Sequence, residues 1–244
     1  MVTLAPIRTT FAVSNGACGS PCMHRDLVDE GHQIGRHRTA RLMRENPLIA
    51  QQKRRFKRTT DSEHAWPVAP NLVAQDFTTA GPDRKWGADI SSIWTAEGWL
   101  YLAIVLDLFS RRVVGWALSN RLKRGLAVEA LRRALVVWPP APGLGHQSDR
   151  GSQHCSVDDQ ALLRKRSLLI SMSGPGNCYD NAMVEAVFKT IKSELIWPVA
   201  WQSRQHIKNT AARSIGGFYN PVRRHASPGF QSPIAFERKA RKVS

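Results

Sequence analysis

The chain has 244 residues, 42% of them hydrophobic, which is enough to bury a sizeable core and too many for wholesale disorder. Lys and Arg number 35 against 19 Asp and Glu, a formal net charge of +16 that points to a long polyanionic partner such as DNA or RNA. Four cysteines in a chain of this size do not make a disulfide framework, no secretory signal precedes them, and the apolar run around residues 100–108 contains Asp107 and is far too short for a membrane span. A cytoplasmic, nucleoid-associated protein is therefore expected.

Residues 1–20 show no clear period and read as an irregular N-terminus. A helical pattern then runs from Pro21 through Met23, Leu27 and Val28 to Gly31, and a second from Gly35 to the residue before Pro47. Two short helices around a glycine-containing turn are compatible with a helix-turn-helix over residues 21–50, with Arg36, Arg38, Arg41 and Arg44 as its DNA contacts. A solvated arginine face fits the pattern equally well. Cys18, Cys22 and His24 lie close together, but no second ligand pair at zinc-site spacing follows, so the cysteines read as ordinary thiols, with a zinc site as the lesser alternative. Residues 51–82 form a basic linker that opens with KRRFKR, where Lys53, Arg54 and Arg55 would make sequence-independent phosphate contacts.

Beyond residue 82 the period changes to that of strands. KWGADISSIWT, WLYLAIVLDLFS and RRVVGWALS read as three strands joined by hairpins, and residues 126–138 as a helix ended by Pro139 and Pro140. A fourth strand covers residues 145–149, a helix opened by the Ser156 and Asp159 capping pattern covers 156–166, and a fifth strand covers 168–172. Asp180 or Asn181 then caps a helix with the apolar stripe Val184, Val187, Phe188, Ile191 and Leu195. The order predicts an α/β fold, a mixed five-stranded sheet with flanking helices spanning residues 83–200, followed by a basic C-terminal helix and tail over 201–244.

Three acids mark the candidate site. Asp89 lies in the first strand among apolar neighbours, Asp149 ends the fourth strand, and Glu185 follows Asp149 with 35 residues between them. Buried carboxylates need partners, and hard divalent cations bind through a few carboxylates and substrate phosphate oxygens. A pair of Mg²⁺ ions at such a site would suit in-line phosphoryl displacement. Lys189 and Lys192 follow Glu185 on its helix face and could grip a phosphate backbone; the alternative is that they balance Glu185 and Glu194.

At these residues the chain resembles a known family. WGADIS, LDLFSRRVVGWAL, HQSDRGSQ, SMSGPGNCYDNAMVE and FYNPVRRHASPGFQSPIAFE, in this order from about Gly19 to the C-terminus, resemble the OrfB-type transposases of the IS-three family of bacterial insertion sequences. The resemblance implies a retroviral-integrase-type, ribonuclease H-like core with a DDE triad, here Asp89, Asp149 and Glu185. It implies cleavage of one strand at each element end and attack by the exposed 3′-hydroxyl on another phosphodiester, with Mg²⁺ or Mn²⁺ as cofactor. Arg223 and Arg224, in the YNPVRRH segment, join the expected DNA contacts. The implied partners are element-end and target DNA, further copies of the chain assembled on that DNA, and a helix-turn-helix protein or fusion from an upstream frame. The chain departs from the family pattern at Cys18, Cys22, His154, Pro175 and Pro228, and residues 1–17 match nothing expected of it. Two rival readings stay open: an impaired relic or repressor that binds element ends without cutting them, and a ribonuclease H-like nuclease.

Overall fold

The computed structural model describes residues 4–50, 67–174, 177–227 and 229–243. Its centre is a five-stranded sheet made of β1 (Lys85–Thr95), β2 (Gly98–Asp107), β3 (Val113–Ser119), β4 (Gly145–Ser148) and β5 (Leu169–Met172), in the order β3-β2-β1-β4-β5. The first three strands form antiparallel pairs, whereas β4 runs parallel to both β1 and β5. All five predicted strands are present, the longest matching its predicted segment residue for residue.

Alternation along β2 explains how one strand serves two cores. Leu100, Leu102, Ile104 and Leu106 face one side, where they pack with α6 (Ala182–Ile191) and α7 (Arg204–Ser214) through Val184, Val187, Phe188, Ile191 and Ile207. Ala103 and Val105 face the other, against α4 (Arg124–Val137) and α5 (Val157–Lys165), through Ala130, Leu131, Ala134 and Leu163. Burial on both faces is why this segment reads as a nearly continuous apolar run in the sequence.

The N-terminal region corrects one expectation. Residues 4–13 are not irregular but form α1 (Leu4–Val13), which packs with α2 (Ser20–Asp29) and α3 (Arg36–Glu45) around Ile7, Met23, Leu27, Ile34 and Met43. Its apolar residues are too few and too mixed to show a period until two further helices supply the opposing face. Cys18 and Cys22 are also not free thiols: they are joined in a disulfide with Cα atoms 5.5 Å apart, within the ordinary range for such a bond. A four-residue spacing at the start of a helix puts them side by side, a local pairing that a count of cysteines does not reveal.

The linker expectation holds less well where it can be checked. Residues 67–82 run against the open edge of β5, where Ser171 Oγ accepts hydrogen bonds from Leu72 N (2.8 Å) and Val73 N (3.2 Å), and Met172 N donates to Pro70 O (3.2 Å). The segment therefore covers an edge that would otherwise expose unpaired backbone groups. Lys53, Arg54 and Arg55 lie outside the described residues.

The C-terminal region contains two helices rather than one, α7 and α8 (Pro233–Val243), and it is built into the core. Trp201, Ile207, Ile215 and Tyr219 belong to the same apolar cluster as β2 and α6. Asn220 completes the edge of β3: its Oδ1 accepts from Val113 N (3.0 Å) and its Nδ2 donates to Val113 O (3.0 Å). Glu237 of α8 reaches the β2–β3 turn, 2.7 Å from Arg112 Nη1 and 2.8 Å from Ser110 Oγ. Because Asn220→Ala leaves two buried Val113 groups unpaired, it is expected to destabilise the protein by about 2–3 kcal/mol in urea unfolding. A loss below about 0.5 kcal/mol would show that water satisfies the strand edge instead.

Candidate active site

The parallel β1–β4 pair sets the position of two acids. Ala88 lies opposite Ser148 in the register, so Asp89 and Asp149 each follow that pair by one residue, at adjacent points on neighbouring strands. Alternation puts Asp89 on the same face as Gly87 and Ile93, the face covered by α6. Asp149 is steadied by the backbone N–H of Gly151, which donates to its Oδ1 at 3.0 Å.

Glu185 comes from α6, and two contacts hold that helix close to β1, while a third anchors the turn before it. A Cβ on Gly87 would lie 2.5 Å from Val184 Cγ2, so only a glycine at this strand position lets the helix approach so near. Asn181 Nδ2 donates to Ala88 O at 3.3 Å, tying the start of α6 to the residue before Asp89. Asp180, buried in the turn before α6, accepts from Gly174 N (2.7 Å) and Asn71 Nδ2 (2.9 Å). Asn181, one of the two expected cap residues, does stand at the N-cap of α6, but its side chain is turned to Ala88 O and makes no capping hydrogen bond. A 3₁₀ turn over Cys178–Asn181 precedes α6, and Asn177 Oδ1 caps it by accepting from Tyr179 N. The sequence shows that a cap-rich turn is there; which residue caps depends on contacts to β1 and to residues 71 and 174.

The three carboxylates sense one another. Burial first, and then the charge of Asp149, push Asp89 up to about 7, with Glu185 adding to the effect. Glu185 is itself raised by partial burial and by Asp149. Behind them sits a buried histidine that the sequence did not single out for a role. Burial would depress His154, but Asp159, Asp149 and Asp89 outweigh it and raise it to about 9, so the ring is cationic at neutral pH. Its Nδ1 stands 3.9 Å from Asp159 Oδ2. His146, also buried, is pushed down to about 4 by desolvation and remains neutral.

Lys192 is the expected basic residue that reaches the acids. It is half-buried at the start of a π turn (Lys192–Ile196) that continues α6; burial lowers its pKa and the charge of Asp89 opposes that shift. Lys189 is exposed on α6. Arg36, Arg38, Arg41 and Arg44 are all exposed on α3, opposite the buried Thr39 and Met43, with Arg41 3.8 Å from Glu45. Arg223 and Arg224 are placed differently from these. Arg223 is fully engaged with Glu194, its Nε 2.6 Å from Oε2, and Arg224 pairs with Asp26 and Asp29 of α2, each at 2.6 Å. Both arginines, expected as DNA contacts, thus also have acidic partners that only the tertiary fold brings within reach.

The donor set suits a hard cation. All three acids offer oxygen, and the nearby Cys155 thiol is held protonated, burial and then Asp149 pushing it up to about 11. An acid cluster that raises its own pKa is short of positive charge, and a divalent ion would supply it.

The fold has counterparts among solved structures. The chain is similar in fold to a chain of the simian T-cell lymphotropic virus intasome in complex with PP2A regulatory subunit B56 gamma, with a TM-score of 0.54 and 13% identity over 95% of this chain and 74% of that one. It is also similar to the HTLV-2 integrase catalytic core domain in complex with magnesium, with a TM-score of 0.50 and 14% identity over 66% of this chain and 99% of that one. Residues 79–178 match the integrase core domain family and residues 3–56 an HTH-like domain family. Asp89 and Asp149 fall inside the first match and Glu185 just beyond it. The molecule is thus an integrase-type enzyme with a ribonuclease H-like catalytic core.

Sequence relatives narrow the class. The chain is 39% identical over 233 residues to the transposase InsF for insertion sequence IS3A of Escherichia coli, covering 96% of this chain and 81% of that protein. It is 40% identical over 221 residues to an uncharacterized 31 kDa protein of insertion element IS600 of Shigella sonnei, covering 91% and 81%. The chain belongs to the IS3 family of insertion-sequence transposases. Residues 3–17, which the sequence motifs left unmatched, fall within the HTH-like match. Among the described residues no helix is long and apolar enough to cross a membrane.

A pH dependence follows from Asp89. Its carboxyl keeps a proton in the folded state between about pH 4 and 7, where the unfolded chain has lost it, so this group's contribution becomes unfavourable as pH rises through that window. Without divalent ions, Asp89→Asn is expected to raise the thermal midpoint by roughly 3–8 °C at pH 8 and to change it little at pH 4. Millimolar Mg²⁺ should stabilise the parent protein at pH 8 and not the variant; a lower midpoint for the variant at pH 8 would contradict the charge argument.

Proposed function

We propose that this transposase cuts one DNA strand at each end of its element and joins the exposed 3′-hydroxyl to target DNA, with Asp89, Asp149 and Glu185 as its catalytic triad. The observation that carries this reading is the convergence of acids from β1, the end of β4 and α6, with Asp89 raised by burial and by the charges of Asp149 and Glu185, and Glu185 raised by burial and by the charge of Asp149. Two Mg²⁺ ions, or Mn²⁺ in their place, would be held by these three residues and would supply Lewis-acid activation of the attacking oxygen and charge neutralisation on the leaving one.

The chain's own groups prepare the site. Gly151 N–H orients Asp149, Asn181 fixes the start of α6 on β1, and Lys192 contributes positive charge where a phosphate would approach Asp89. The cationic His154 lies behind the acids and offsets part of their repulsion while no phosphate is present. The exposed arginines of α3 and Lys189 supply contacts to the DNA backbone, and Lys53, Arg54 and Arg55 extend them in sequence. Two element ends must be held together during joining, so the working form on DNA is a homo-oligomer, and an upstream-frame helix-turn-helix protein or fusion is a further partner. The site of action is the bacterial nucleoid.

Asp149→Asn is expected to lower cleavage and strand transfer on element-end DNA in Mg²⁺ by roughly a thousandfold, equivalent to about 4 kcal/mol, while leaving DNA binding intact. Binding by the parent chain without cleavage would favour the relic or repressor reading, and cleavage of an RNA–DNA hybrid in preference to element ends the nuclease reading. Replacing Arg41 and Arg44 with Gln should weaken binding to any duplex and reduce the slope of log affinity against log salt by about 2. An unchanged slope would remove α3 from the DNA interface.

A further inference from the structure

Away from the acid triad, Cys22 and Asp26 lie one turn apart on one face of α2, and Cys18, in the turn just before that helix, comes up beside them. Their ligand atoms are all within 4.8 Å of one another, the only such group of three among the described residues. Asp26 Oδ2 is 3.4 Å from Cys18 Sγ and 3.7 Å from Cys22 Sγ. The other carboxylate oxygen, Oδ1, is 2.6 Å from Arg224 Nε of the YNPVRRH segment. One oxygen is thus turned toward the sulfurs while the other is anchored, the arrangement by which an outer partner orients a metal ligand. The first turn of a helix favours the thiolate form of nearby cysteines, and two thiolates with a carboxylate are donors suited to Zn²⁺. Cys18 is buried, whereas Cys22 and Asp26 are partly open to solvent, which gives an ion a way in.

We propose that the reduced Cys18–Cys22 pair and Asp26 form a soft-metal site for a single Zn²⁺, with the fourth position open to water or another small donor, and that closing the disulfide abolishes the site. A phosphine opens the bond by taking up the oxygen of water as its oxide and leaving two thiols; metal binding then releases the two thiol protons. The site would brace the start of α2 against the preceding turn, directly beside the Arg224 contact that joins the helical module to the C-terminal region.

The test uses the full chain without DNA and Co²⁺ as the spectroscopic stand-in for Zn²⁺. After phosphine reduction, one equivalent of Co²⁺ should give a sulfur-to-cobalt charge-transfer band and strong visible absorption of tetrahedral type, both lost on adding Zn²⁺. Cys22→Ser should remove most of the charge-transfer intensity, and Asp26→Asn should weaken Co²⁺ binding by at least about tenfold. Asp89→Asn combined with Asp149→Asn should leave the band unchanged, because the triad offers only oxygen. The oxidised parent protein should show no band, a comparison that does not depend on any variant folding. Absence of the band after reduction, its presence in the oxidised protein, or its survival in the Cys18→Ser, Cys22→Ser double variant would each overturn the proposal.

Discussion

The cost of placing Asp89 beside Asp149 shapes much of this molecule. A carboxylate in the middle of a buried sheet is unfavourable, and a second one beside it makes ionisation harder still, which is why Asp89 is raised to about 7. The fold tolerates the pair because it surrounds them with compensating groups. Gly151 donates to Asp149, His154 provides a buried positive charge, and Lys192 brings another from the far end of α6. What these groups leave uncompensated is negative charge, which a divalent cation held by the acids would offset.

The C-terminal region turns this local arrangement into a stable one. Tyr219 is buried in the core beneath the sheet, Asn220 completes the edge of β3, and Arg223 fastens Glu194 within the π turn that begins at Lys192. A segment that reads as a basic tail thus fixes the helix bearing Glu185 and Lys192. Residues 67–82 do the equivalent work at the opposite edge, bonding to Ser171 on β5 and to Asp180 before α6.

Charge is divided by position. Arginines whose neighbours include acids form ion pairs inside the structure, as Arg223 with Glu194 and Arg224 with Asp26 and Asp29. The arginines of α3 have at most one exposed partner and keep their charge at the surface, where binding a polyanion would release counterions. Arg224 also ties the N-terminal helices to the segment that braces α6, so the module that meets DNA and the helix that carries the third acid are held through one short stretch of chain.

The sequence by itself determined the local elements and the identity of the acids. Strand-type patterning and branched and aromatic residues over 85–119 gave the three antiparallel strands, the Ser156 pattern gave the start of α5, and long motifs around Asp89, Asp149 and Glu185 made the family readable. Each of these signals depends on neighbours within a few residues. What only the tertiary structure decided is how distant segments meet: that β4 lies parallel to β1 and brings Asp149 to Asp89, that Gly87 admits α6, and that Arg223 and Arg224 are consumed by Glu194, Asp26 and Asp29. The N-terminal helix α1 was invisible for the same reason, since its few apolar residues acquire meaning only against α2 and α3. Local periodicity records what a residue does for its own helix or strand; ion pairs, close approaches and shared carboxylate charge depend on distances that no local pattern encodes.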